Sequence, residues 1–173
     1  MGKQHHPQTW TRRHWLQAAP ACALLPGTAL ALAGNGAQIE WPLLRTVAGQ
    51  LLTTAHWQGV PSVVVFWATW CGYCRRHNAH VDRLHRSVDA SRLRVLGVAL
   101  DPSAEVVRRH LQQTGYGFPT VADGASLRER FTSRRMVPMT CTVGADGRLL
   151  QAIPGEMRED DVLALARLAL PAR

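Results

Sequence analysis

Val63-Val64-Val65-Phe66-Trp67-Ala68-Thr69-Trp70-Cys71-Gly72-Tyr73-Cys74 is the stretch that decides the reading of this 173-residue chain. The apolar run before Ala68 has the length and β-branched character of a buried strand. Two cysteines three apart follow it, and Val81, Leu84 and Val88 then recur at helical spacing. A strand that ends in Cys-x-x-Cys and turns into a helix puts the first sulfur at a helix N-terminus. Unpaired N–H groups and the positive end of the helix dipole there favour thiolate over thiol. The thiolate is the species that attacks disulfides, so the motif points to dithiol–disulfide exchange. Two other readings stay open on spacing alone: half of a metal site completed by His77 or His80, and an inert bridge. The remaining cysteines, Cys22 and Cys141, stand alone and form no second pair.

Outward from the motif, the chain reads as alternating elements. Val47–Thr53 is expected to form a small hairpin turning at Gly49-Gln50, and His56–Pro61 a loop into the strand Ser62–Trp67. A helix is expected over Cys71–Asp89, a second buried strand over Leu93–Leu100, and a helix capped by Ser103 running to Thr114. Phe118–Val121 reads as a short extended piece and Ser126–Phe131 as a short helix. Met139–Val143 and Arg148–Ile153 pair around Gly144-Ala145-Asp146-Gly147, and Arg158–Leu170 closes as an amphipathic helix. The order β–α–β–α, hairpin, helix is an α/β layered domain with a central mixed sheet flanked by helices. The dithiol sits at the C-terminal end of its first central strand, where such folds place their chemistry.

The first 33 residues read as a leader outside the domain. Arg12-Arg13 precede an Ala- and Leu-rich stretch from Ala18, and Ala31-Leu32-Ala33 offers small residues for a signal peptidase. The segment resembles a twin-arginine (Tat) export signal, with Trp15 where that family more often has Phe. Pro20, Pro26 and Gly27 break the apolar stretch, which is short and weakly hydrophobic for a membrane span. Cleavage after Ala33 is expected, an uncleaved anchor being the alternative. Residues 34–173 are then one exported domain, expected in the periplasm, with Cys71, Cys74 and Cys141 in a disulfide-permissive compartment.

Formal charge is +8; without the leader's three cations, Lys3, Arg12 and Arg13, it is +5. The arginines are spread along helices rather than interleaved with aromatics, so nucleic acid is not an expected partner. Solvated helix faces are the expected reading, with attraction to anionic lipid headgroups as the alternative.

Phe66–Cys74 resembles the active-site strand and turn of thioredoxin-like proteins. Val95–Asp101, Gly115–Asp123 and Val137-Pro138-Met139-Thr140 with Gly144–Arg148 extend the likeness to the TlpA/ResA-like branch of exported thiol–disulfide oxidoreductases, over roughly Trp41 to Leu170. The resemblance implies a thioredoxin-like fold and a redox-active disulfide. Cys71 would be the exposed attacking thiolate and Cys74 the buried resolving partner. Pro138 would be a cis-proline presenting the backbone of Val137 to an extended substrate. Trp67 and Trp70 would form the apolar floor and rim near the sulfurs, with core packing as the competing reading for either. Tyr73 would be a further substrate-binding residue. It implies no cofactor and no metal. The partners implied are protein substrates with disulfides or dithiols and a membrane electron donor of the thiol–disulfide relay type. A monomer is expected; against an isomerase, such enzymes usually dimerise through an extra domain for which this chain has no room.

The departures from that branch bear on direction. Tyr73 stands where the branch has proline, giving the Gly-Tyr dipeptide of periplasmic disulfide isomerases. His77 and Ala79 replace a Glu and a helix-kinking Pro, and Val65 stands where many cytosolic thioredoxins have Asp. Both carboxylates that would take a proton from the resolving cysteine are absent. His77, one helical turn past Cys74, is the expected replacement base, with a surface histidine as the competing reading. Oxidase, isomerase and copper-carrier readings stay open beside reductase. A thiol peroxidase is disfavoured, because the Thr-x-x-Cys setting is missing.

Overall fold

The computed structural model describes residues 1–2 and 36–170. The chain divides into two units, Met1–Leu30 and Ala31–Arg173. Residues 3–33 of the expected leader, with Arg12, Arg13 and Cys22, lie outside the described residues.

The second unit is built on a five-stranded sheet. Its strands in chain order are β3 (Ser62–Trp67), β4 (Arg94–Ala99), β5 (Thr120–Val121), β6 (Met139–Val143) and β7 (Leu149–Pro154). Their order across the sheet is β5-β4-β3-β6-β7. β3 pairs parallel to β4 and antiparallel to β6, so it lies at the centre of the sheet. Six consecutive buried residues in β3 follow from that position, because a central strand covered on both faces has no solvent side. Val64 and Phe66 point into one cluster with Leu96, Val98, Met139 and Cys141. Val63 and Val65 point the other way, toward Val81, Leu84 and Val162.

The helix α2 (Gly72–Ser87) packs on that second face with a stripe of Cys74, His77, Asn78, Val81 and Leu84. The stripe follows helical spacing, and burying Leu84 alone contributes about 2 kcal/mol. The helix α3 (Ala104–Thr114) begins at Ser103, whose side chain accepts from the Val106 N–H, and ends at Gly115 with φ +72°. Glycine suits that left-handed cap, where its N–H donates to Leu111 O at 2.9 Å.

Three expectations are corrected. The N-terminal hairpin pairs β1 (Leu44–Arg45) with β2 (Leu51–Leu52), so its first strand precedes Val47. Val47 instead docks on β5: its N–H donates to Thr120 O and its carbonyl accepts from Arg108 Nε. The expected loop at His56 contains a four-residue helix, α1 (Thr54–Trp57). Burial of Trp57, stacked on Trp41 with ring centroids 3.9 Å apart, organises it rather than local helix preference. After the short helix α4 (Ala125–Glu129), the closing helix α5 runs over Glu159–Ala164 and finishes as a 3₁₀ turn at Leu165–Ala169. Such tightening is common at helix ends.

Candidate active site

The carbonyl end of β3 delivers the chain to the dithiol. Trp67 ends the strand fully buried, and Thr69 is then held by Asp101 at the end of β4. Asp101 Oδ2 accepts from the Thr69 N–H at 3.0 Å and Oδ1 from the Thr69 hydroxyl at 2.6 Å. The loop thus enters α2 in one register, and Cys71 becomes the residue before its first turn. Cys71 Sγ accepts from the Cys74 N–H at 3.1 Å, the N-cap arrangement that favours negative charge on this sulfur.

Cys71 and Cys74 are joined as a disulfide, with Cα atoms 5.2 Å apart. Cys71 is 8% exposed and Cys74 is fully buried, so only the first sulfur is open to attack or to attacking. Opposite them the Val137–Pro138 peptide is cis, and Cys71 Sγ lies 3.8 Å from the Val137 carbonyl oxygen. Beside the sulfurs, Trp70 and Tyr73 are 74% and 64% exposed. They are large apolar surfaces left in water at a redox centre, with exposed Met136 on the segment leading to Val137. Arg76 lies over the Tyr73 ring at 4.9 Å and pairs with Glu156, Nε to Oε1 at 2.8 Å and Nη2 to Oε2 at 2.6 Å. Arg75 has no carboxylate partner among the described residues.

A family model of the AhpC/TSA family matches residues 37–150. The chain belongs to the AhpC/TSA family. The thiol–disulfide oxidoreductase ResA of Halalkalibacterium halodurans is 24% identical over 141 residues, 81% of this chain and 80% of that protein. A thiol:disulfide interchange protein of Chlorobium tepidum superposes with a TM-score of 0.70 at 21% identity, over 79% of this chain and 97% of its own. A secreted disulfide oxidoreductase of Mycobacterium tuberculosis superposes with a TM-score of 0.62 at 18% identity, covering 72% of this chain and 93% of its own. The fold is thioredoxin-like, as the resemblance implied.

In this AhpC/TSA chain His77 is fully buried rather than on the surface. Its Nδ1 accepts from the Met157 N–H at 3.2 Å, which leaves the proton of the neutral ring on Nε2, 2.9 Å from Thr140 Oγ1. Burial, with the neighbouring His80, pushes its pKa down to about 4. Both ring nitrogens are therefore engaged, by β6 and by the segment after β7. His80 faces Glu159 at 3.9 Å. Among the described residues, no three His, Cys, Asp or Glu side chains gather in an arrangement that holds a metal ion.

Cys141 is buried on β6 opposite Val64, in the cluster on the sheet face away from α2. Burial pushes its thiol up to about 12. It belongs to a different buried cluster from the disulfide, and at neutral pH it stays protonated. Asp101 and Glu156 are site residues that the sequence did not single out. The Asp at the end of the second strand, where chemistry gathers in such sheets, was the one available signal.

Proposed function

We propose that this chain is an exported thiol–disulfide oxidoreductase that reduces protein disulfides through Cys71 and Cys74. The observation that carries the reading is the capped, partly open Cys71 facing the cis Val137–Pro138 peptide at 3.8 Å, with Cys74 buried behind it. Cys71 thiolate attacks a substrate disulfide; one substrate sulfur leaves as thiolate and the other stays on Cys71. Cys74 then attacks Cys71, closes the internal disulfide and releases the second substrate sulfur. Two electrons pass from the dithiol to the substrate, and the dithiol is restored by a membrane donor of the relay type. Trp70, Tyr73 and the Val137 backbone form the face on which an extended substrate segment lies.

Export through a twin-arginine leader over residues 1–33, a periplasmic setting and a monomeric 34–173 domain belong to the same proposal. The arginine pair and Ala31-Leu32-Ala33 support it, as does the secreted state named for the Mycobacterium tuberculosis relative. His77 in this reading is a positioning residue. It ties α2 to β6 two residues past Pro138, and so sets the distance between the sulfurs and the substrate-facing backbone.

Net oxidation is the second reading, favoured by Arg75 in the first turn past Cys74, which has no carboxylate partner among the described residues, since cations near Cys71 stabilise its thiolate and hence the reduced form. Stopped-flow reduction of a protein disulfide by the pre-reduced chain tests the proposal. Stoichiometric transfer from the wild type and none from Cys71→Ser is expected; equal transfer from both contradicts it.

A further inference from the structure

Asn78 is 1% exposed, and neither its Nδ2 nor its Oδ1 meets a hydrogen-bond partner among the described residues. Buried side-chain amides are nearly always paired, so an unpaired one calls for a physical reason. Asn78 lies four residues after Cys74 on α2, in the same buried stripe. Residues four apart are helix neighbours, and helical side chains lean back toward the N-terminus. Asn78 and Cys74 thus share one buried face of α2, one turn apart.

The surroundings leave Cys74 with little else. It sits in an apolar cluster with Trp67, Ala68, Ala99 and Val107. Val65 occupies the next inward position of β3, and His77 has spent both nitrogens on Met157 and Thr140. The indole Nε1 of Trp67 is also unpartnered, but that ring lies against His110 of α3, centroids 5.4 Å apart. In the disulfide, Cys74 Sγ is neutral and weak as an acceptor, and Asn78 Nδ2 makes no bond to it. Once the disulfide opens, the same atom must ionise in an apolar site, and a charge there needs a donor.

We propose that Asn78 is that donor: its Nδ2–H bonds to the Cys74 thiolate in the reduced protein, so the amide unpartnered in the oxidised state is matched to the reduced one. The inference rests on the dithiol cycle proposed above. In the resolving step Cys74 thiolate attacks Cys71 Sγ of the mixed disulfide. A Cys71–Cys74 bond forms, the bond from Cys71 to the substrate sulfur breaks, and the electron pair leaves on that sulfur, which takes a proton from water. Cys74 is oxidised and the substrate sulfur reduced. The proton of Cys74 has already gone to water, and Asn78 carries none; it holds the charge of the attacking sulfur. With that bond made in the reduced protein, the amide touches a reacting atom, which makes Asn78 a catalytic residue of the resolving half of the cycle.

Titration of reduced full-length protein carrying isotope-labelled cysteine Cβ follows Cys74 individually and needs no substrate. It can therefore fail while disulfide reduction stands, and the reverse. The charged or titratable groups on the elements around Cys74 are Cys71 at the N-cap, Tyr73, Arg75, Arg76, His77, His80, Asp82, Arg83, His85 and Arg86 on α2, Glu105, Arg108, Arg109 and His110 on α3, Asp101 at the end of β4 and Glu156 after β7. Asn78→Leu keeps all of them and the side-chain bulk. It is expected to raise the Cys74 pKa by about one unit, which lowers the thiolate fraction about tenfold below that pKa and slows single-turnover resolution by the same factor. Attack by Cys71 is expected unchanged. An unaltered Cys74 titration in Asn78→Leu overturns the proposal. If that variant does not fold, the wild type decides: the Asn78 side-chain amide signals move on reduction if the bond forms, and unmoved signals overturn it.

Discussion

The ring of His77 lies 2.9 Å from the hydroxyl of Thr140, a bond that joins the helix of Cys74 to the strand that starts after cis-Pro138. Its other nitrogen takes the Met157 N–H, so one buried side chain fastens three segments of the site. With its pKa near 4, His77 is neutral in the folded protein where an unfolded histidine is protonated. Protons thus bind the unfolded chain preferentially between about pH 6.5 and 4, and stability falls as pH drops through that window. The full effect is about 3 kcal/mol. Urea unfolding at pH 7 and pH 4.5 is expected to show the loss in wild type and a smaller one in His77→Gln.

Asp101 holds Thr69 by backbone and side chain together, just before Trp70 and Cys71. Asp101→Ala leaves the Thr69 N–H unpaired at a partly buried site and costs about 1–3 kcal/mol. Thr69→Ser, which keeps the hydroxyl, is expected near wild type. Thermal unfolding of the two variants checks the pair, and the Cys71 attack rate is expected to fall only in Asp101→Ala.

The first turn past Cys74 carries Arg75, without a carboxylate partner among the described residues, and Arg76 bound to Glu156. A stabilised Cys71 thiolate makes the couple more oxidising than cytosolic thioredoxin at about −270 mV. Arg75→Glu is expected to lower the potential by on the order of 10–20 mV, the equivalent of a surface charge at a helix N-terminus. Equilibration with glutathione reads both values.

Cys141, its thiol pushed to about 12 inside the cluster away from α2, is expected to react with thiol reagents only in denaturant. Cys141→Ala removes that denaturant-dependent thiol and leaves the redox potential unchanged. A shifted potential in this variant means that Cys141 takes part in the cycle.

The sheet was largely legible in the sequence because its evidence is local. Ser62–Trp67 is an apolar run, Ser103 a cap three residues before the N–H it accepts, and Met139–Val143 is matched to its partner by a Gly-x-x-Gly turn. The dithiol was legible for the same reason. What escaped depends on partners far away in the chain. The short helix at Trp57 exists because Trp41 stacks on it, and His77 reads as a free base until Thr140, 63 residues on, and Met157, 80 residues on, occupy its nitrogens. Asn78 and Asp101 are polar letters whose burial only the packed structure reveals.

The central claim, that Cys71 attacks and Cys74 resolves, is tested most directly by trapping. Incubation of reduced Cys74→Ala and Cys71→Ala variants with a disulfide-bonded protein, followed by mass spectrometry of the adducts, decides it. A mixed disulfide on Cys71 that accumulates in Cys74→Ala and is absent from Cys71→Ala is the result predicted. Adducts that form on Cys74 as readily as on Cys71 contradict the account.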